Sequence, residues 1–240
     1  MIGAEDNDLP TFPPLLHGEA VPAHTDPFLK AITLARQGID PGLILWSEDV
    51  SNFRVALVLA PEMPLERAMG AAYAAQLGFA DALGALAPPE VAVEFLWPDR
   101  ITVNGALCGH LRYGASGSDH LAEPDWLVIA IDVPMLPVER MEPGVTPNQT
   151  SLYDEGCAEV LPAALIESWS RHLLVWLNEF MEEGLEPLHR AWSGKCTNLG
   201  KPVETPRKGL FMGVDELGNM LLRDADGTNV VRLTDFLEDG

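Results

Sequence analysis

The chain has 240 residues, 47% of them hydrophobic, and a formal net charge of −21. That is enough apolar residue for one sizeable domain with a small appendage. So acidic a surface argues against nucleic acid and anionic membranes as partners, because neither phosphates nor lipid headgroups would meet a basic patch. Cys108, Cys157 and Cys196 are too few and too scattered for a disulfide framework or a zinc site. The six histidines add no metal motif. Met1 to Pro14 lacks the basic and apolar segments of a secretion signal, and no apolar run reaches the length of a membrane span. A reducing, cytoplasmic location is the expectation.

Residues 1–22 hold four prolines and no periodicity, and predict an extended arm laid on the body. Asp26 to Gln37 predicts the first helix. Thr25 or Asp26 caps it, Pro27 sits in its first turn and Gly38 follows its end. Leu43–Trp46 and Phe53–Leu59 are strand-length apolar runs split by the polar turn Ser47–Asn52. Leu65 to Leu86 predicts one long alanine-rich helix, with Leu65, Met69, Tyr73, Leu77 and Ala80 at three- and four-residue steps. Strands are predicted at Val91–Leu96, Ile101–Val103, Ala106–Tyr113 and Trp126–Val133, with Asn104-Gly105 as a hairpin turn.

Pro134 to Pro162 is a proline- and glycine-bearing excursion. Leu161 to Met181 predicts an amphipathic helix whose apolar face carries Leu165, Trp169, Leu173, Trp176, Leu177 and Phe180. Gly184 ends it, and Leu188–Trp192 suits a further short turn or helix. From about Gly200, short runs at Gly209–Val214, Asn219–Arg223 and Asn229–Leu233 alternate with tight polar turns. They predict a small β-rich appendage.

Leu96-Trp97-Pro98-Asp99-Arg100, then Ala106-Leu107-Cys108-Gly109-His110-Leu111, then Val128 to Val133, resemble three consecutive motifs of the biotin protein ligase and lipoate ligase family. In that family they read Lys-Trp-Pro-Asn-Asp, Lys-Leu-Ala-Gly-Ile-Leu and Gly-x-Gly-Ile-Asn-Val. Glu183 to Leu188 with Trp192, Leu199 to Val203 and Gly213 to Gly218 resemble its closing helix and C-terminal domain. The resemblance covers most of the chain from about residue 23. It implies an α+β fold, a mixed sheet packed with helices, plus a small C-terminal SH3-like β-domain. The implied division is 1–22, an arm; 23–199, the ligase-like domain; and 200–240, the β-domain.

Such ligases join biotin or lipoate to ATP, with Mg, as an acyl-adenylate, and pass the acyl group to a lysine of an acceptor protein. Cations aimed at the developing negative charge lower the barrier, one well-placed donor by about 2.7–4 kcal/mol. The resemblance implies two such devices, a glycine-arginine-rich loop and a strand lysine. The lysine aligns with Ala106. The loop falls between Trp46 and Val55, where the sequence offers Glu48, Asp49 and Arg54. Arg100 stands where the family has an acid, and Val128 and Ala130 stand where it has glycines. No lysine lies between Lys30 and Lys195.

On the resemblance, the ligand-binding candidates are Arg54, Trp97, Asp99, Arg100, Gly109, Leu111 and Asp132. Arg100 either binds an anion or pairs with Glu94 or Asp99. Without a bulge, strand alternation puts Ala106, Cys108, His110 and Arg112 on one face. Arg100, Cys108, His110 and Arg112 are thus the catalytic candidates, with Cys108 as an acyl acceptor activated by His110. The alternative is a buried thiol and a satisfied histidine. The sequence therefore predicts a small acyl or nucleotide-type ligand, or a partner, in a catalytically weakened site. A ligase or acyltransferase with a rebuilt site, using ATP with Mg and biotin, lipoate or octanoate, is the other reading.

Overall fold

The structure is a computed structural model that describes residues 9–137 and 148–238. The middle of the predicted excursion lies outside the described residues. Seven strands form one sheet in the order β1-β2-β3-β7-β6-β5-β4. They are β1 (His17–Val21), β2 (Leu43–Ser47), β3 (Asn52–Leu59), β4 (Val93–Leu96), β5 (Arg100–Val103), β6 (Ala106–Ala115) and β7 (Leu127–Pro134). Only the β1–β2 pair is parallel; the other five pairs are antiparallel. The fold is the expected mixed sheet packed with helices. Within the segment read from sequence as an extended arm laid on the body, His17–Val21 is an edge strand of the sheet. Its register is carried by backbone bonding to β2, which leaves little apolar pattern in the sequence.

One face of the sheet packs on α1 (Pro27–Arg36). Its residues Phe28, Ala31, Ile32 and Ala35 recur on one stripe and bury against Leu45, Ala56, Val58, Val128 and Ala130. Burial of a side chain such as Phe28 contributes about 1.5–3 kcal/mol. Of the two expected caps it is Asp26 that serves, its Oδ1 accepting the Phe28 N–H at 2.9 Å.

The opposite face packs on α3 (Gly70–Leu86) and α4 (Pro162–Glu183), with α5 (Glu186–Ser193) beside them. The single long helix expected from Leu65 is interrupted at Met69, which separates a short α2 (Leu65–Ala68) from α3. At this point the Phe180 ring of α4 presses on Gly70, where a Cβ would stand 2.4 Å from it. One helical turn pair further, Gly78 lets the Leu173 backbone approach, a Cβ there meeting the Leu173 nitrogen at 2.9 Å. The small residues of α3 thus allow two helices to cross nearly backbone to backbone. Trp169 donates to the Ala75 carbonyl at 3.2 Å, and Trp192 to Gln76 Oε1 at 2.5 Å. Both tryptophans are core.

Beyond Gly200 a separate four-stranded antiparallel sheet runs in the order β11-β10-β9-β8. Its strands are β8 (Pro202–Val203), β9 (Gly209–Val214), β10 (Met220–Asp224) and β11 (Gly227–Val231). Phe211, Met220 and Leu222 belong to the same buried cluster as α3 and the large sheet. The β9–β10 turn docks through one carbonyl. Gly218 O accepts from Tyr73 Oη at 2.6 Å and from Trp97 Nε1 at 3.1 Å.

Gly218 has φ +84°, and a Cβ there would meet the Tyr73 ring at 2.5 Å; Gly38 has φ +81° and open space around it. Gly38→Ala is expected to cost about 1–2 kcal/mol, from backbone conformation alone. Gly218→Ala is expected to cost at least about 1 kcal/mol more, because Tyr73 is boxed in by Trp192. Urea unfolding of both variants measures the difference. Equal costs would show that the turn is not held on Tyr73.

Candidate functional site

The register of the large sheet aligns four polar residues across four strands. Arg54 on β3 lies opposite Asp132 on β7, Asp132 opposite His110 on β6, and His110 opposite Arg100 on β5. They lie on the α1 face of the sheet, past the helix N-terminus, where Arg54, Asp132 and His110 are half-buried and Arg100 is exposed. Two residues along the strands, the next row is Ala56, Ala130 and Arg112. A shallow depression with a volume of only about 10 Å³ lies between Asp26, Phe28, Arg54, Arg112, Ala130 and Asp132.

Each arginine of this face already has a carboxylate. Arg54 Nε donates to Asp132 Oδ2 at 2.9 Å. Arg100 Nε stands 3.3 Å from Asp99 Oδ1, so Asp99 is the partner it takes. Arg112 has two: its NH1 donates to Asp26 Oδ2 at 2.7 Å, and its Nε and NH2 grip Glu238 at 2.7–3.0 Å. The Arg112 guanidinium also lies 4.1 Å from the Phe28 ring centre. Its pKa is pushed above the ordinary value, first by the hydrogen bonds to Glu238. Burial lifts the Asp99 carboxyl above the usual range, against the pull of Arg100 and His110, and the charge of Glu238 lifts it further.

Four sequence candidates are placed elsewhere. Between Ile101 and Thr102 the β5–β6 register slips, Ile101 pairing with Gly109 and Thr102 with Leu107, so Cys108 is the extra residue of a bulge. The bulge breaks the expected alternation. Cys108 turns into the helix-covered core while His110 and Arg112 stay on the polar face. Its thiol is 2% exposed and is pushed up to about 12 by burial. That geometry corrects the pairing of a Cys108 nucleophile with His110. Trp97 and Leu111 are buried in the same core. Gly109 serves the sheet itself, because a Cβ would stand 2.5 Å from Val133 Cγ2 and 2.7 Å from the Asp132 carbonyl.

The turn at Ser47–Asn52 is closed on itself. Asp49 accepts from the Ser51 amide and hydroxyl and from Asn52 Nδ2, and these bonds, the Ser51 hydroxyl first, hold its carboxyl below the usual range. Among the described residues no group of three His, Cys, Asp or Glu stands close enough to hold a metal ion, and no helix is long and apolar enough to cross a membrane. Sequence reasoning missed Asp26 and Glu238 as site residues. Asp26 was visible as a helix cap; its second oxygen meets Arg112 at a separation of 86 residues, and Glu238 does so at 126.

Residues 12–194 match the model of the biotin/lipoate A/B protein ligase family. A biotin–[acetyl-CoA-carboxylase] ligase of Paracoccus denitrificans is 26% identical over 192 residues, covering 78% of this chain and 80% of that protein. A biotin protein ligase-like protein of unknown function from Silicibacter sp. is 46% identical, with a TM-score of 0.89 over 95% of this chain and 99% of that one. The apo biotin protein ligase of Aquifex aeolicus superposes with a TM-score of 0.73 at 15% identity, covering 90% and 96% of the two chains. At that identity the likeness speaks for the fold.

Two outcomes are expected. At neutral pH roughly 10⁻⁵ of a thiol with a pKa of about 12 is ionised. Native Cys108 therefore resists iodoacetamide, and on raising the pH Cys196, at about 11 and less buried, is alkylated before it. Mass spectrometry after timed labelling checks the order. Asp99 has a raised folded-state pKa, so its contribution to stability is full below the unfolded value of 3.8 and is lost as pH rises through the folded value. Asp99→Asn should thus gain stability relative to the parent between about pH 4 and about pH 7. Urea unfolding at both pH values reads the change, and a constant difference would refute it.

Proposed function

Because the chain belongs to the biotin/lipoate A/B protein ligase family, we propose that it is a ligase-fold binding protein. Its open polar face takes a small acyl or nucleotide-type ligand, and the family's adenylation chemistry is weakened or gone. One observation carries the reading. Arg54, Arg100 and Arg112 are all neutralised by the chain's own carboxylates, and Asp26, Asp99, Asp132 and Glu238 outnumber them four to three.

A catalyst of acyl-adenylate formation needs unpaired cations aimed at developing phosphoryl charge in a dry site. Here each guanidinium already stands beside a carboxylate, and on Arg112 carboxylates occupy Nε, NH1 and NH2 alike. The position aligned with the strand lysine holds Ala106, and the turn aligned with the arginine-rich loop is knotted around Asp49. Losing two such contacts amounts to about 5–8 kcal/mol if they act independently, or roughly four to six decades in rate. These residues do not fit ATP with Mg in the family's manner.

The match to the Paracoccus denitrificans enzyme over 80% of its length supports the second reading, a ligase with a rebuilt site. Calorimetric titration with biotin, lipoate, octanoate, ATP and AMP, run beside a pyrophosphate-release assay, separates the two. The binding-protein reading expects heat from one acid or nucleotide and no pyrophosphate above background. Pyrophosphate release that requires both an acid and ATP would overturn it in favour of the ligase. Silence in every titration would overturn both.

A further inference from the structure

The chain segment after the small sheet returns to the large one. Arg232 leads into a short 3-10 turn, Leu233–Phe236, and the backbone then runs beside β6 where β5 has ended. Leu237 bridges to Tyr113, and the Glu238 N–H donates to the Tyr113 carbonyl at 2.8 Å. On the other side of this gap, the Leu111 N–H is taken by the Asp99 carbonyl, the last backbone group of the β5 approach. Leu237–Glu238 thus occupies two residues' worth of an otherwise open strand position. From there Glu238 forks onto the Nε and NH2 edge of Arg112.

The two carboxylates on Arg112 are not equally tied. Asp26 is held twice, by Arg112 through Oδ2 and by the α1 cap through Oδ1. Glu238 is held by Arg112 and by a two-residue backbone pairing, and its side chain is 42% exposed. It also stands near enough to Asp99 to raise that residue's pKa, so it sits beside a carboxyl that repels it when ionised.

We propose that Leu237–Glu238 is a displaceable strap, which in the free protein saturates the Arg112 fork and is exchanged for the carboxylate of an incoming ligand. This regulation rests on the reading of the polar face as a ligand site. With the strap on, the guanidinium has no free donor edge towards Nε and NH2. With the strap off, that edge accepts any planar carboxylate in the same two-point geometry. A competing internal group lowers apparent affinity by the fraction of molecules in which the site is free.

The test compares the full chain with Glu238→Ala, a change at a half-exposed side chain outside the core. Octanoate is the probe, and octanamide, of equal chain length without the carboxylate, is the control. Calorimetry is expected to show octanoate binding about tenfold tighter to Glu238→Ala than to the parent, with no gain for octanamide. In the parent, saturating octanoate should accelerate hydrogen exchange at the Glu238 amide, as its bond to Tyr113 opens. Equal octanoate affinity in the two proteins, no octanoate binding to Glu238→Ala, an equal gain for octanamide, or unchanged exchange at Glu238 would each overturn the strap. The binding-protein reading stands if octanoate, biotin, lipoate, ATP or AMP binds the parent, and falls with the strap only if none does.

Discussion

Trp97 occupies the point at which the two sheets are joined, and the geometry of the polar face depends on it. Its ring is 3% exposed, edge-on to Phe236 at 5.3 Å and tilted towards Phe211 at 6.3 Å, with its N–H on the Gly218 carbonyl. Its backbone N–H is taken by Asn198 Oδ1. One side chain therefore contacts β9, the β9–β10 turn and the 3-10 turn. Moving it would shift where β5 begins, and so where Arg100 sits. It would also shift Phe236, and with it the two residues that reach Arg112. A residue buried on the opposite face of the sheet is thus tied to the polar face through the backbone.

The consequence is electrostatic. A half-buried guanidinium such as that of Arg54 or Arg112 cannot stay unpaired on a sheet without a desolvation cost, which the exposed Arg100 largely escapes. With 36 acidic residues against 15 basic ones, a carboxylate partner is available for each. Arg54, Arg100 and Arg112 each found one. The same pairing that makes the face compatible with folding removes the unsatisfied positive charge an adenylating enzyme would aim at phosphate. The pairs are partly exposed, so each contributes little to stability by itself; their weight lies in what they prevent.

The sequence was most legible where side-chain periodicity decides structure. The α1 stripe, the β3 and β7 runs and the α4 face follow from spacing and are found where spacing puts them. It was least legible where backbone geometry or distant pairing decides. The bulge at Cys108 is a slip of the β5–β6 register that no alternation rule contains, and it reverses which side of the sheet the thiol faces. The β1 strand has its register set by backbone bonds to β2. Glu238 reaches Arg112 only because the small sheet docks on Trp97, so its role needs the whole fold before it exists.

The two family-like positions on β6 carry different amounts of information, and the physics says why. Gly109 is demanded by the sheet: any side chain there would collide with β7 whether or not a ligand ever binds. Its presence in the motif therefore testifies to the fold and is silent about chemistry. Ala106 is the opposite case. It lies half-buried beside an exposed hairpin turn, paired with Val103, where a lysine's long stem can carry its ammonium to water at little cost. The fold does not forbid a lysine at that position, so its replacement by alanine is evidence about the reaction. The fold thus demands the glycine at 109 and leaves position 106 free, so the two positions of one motif answer to different constraints.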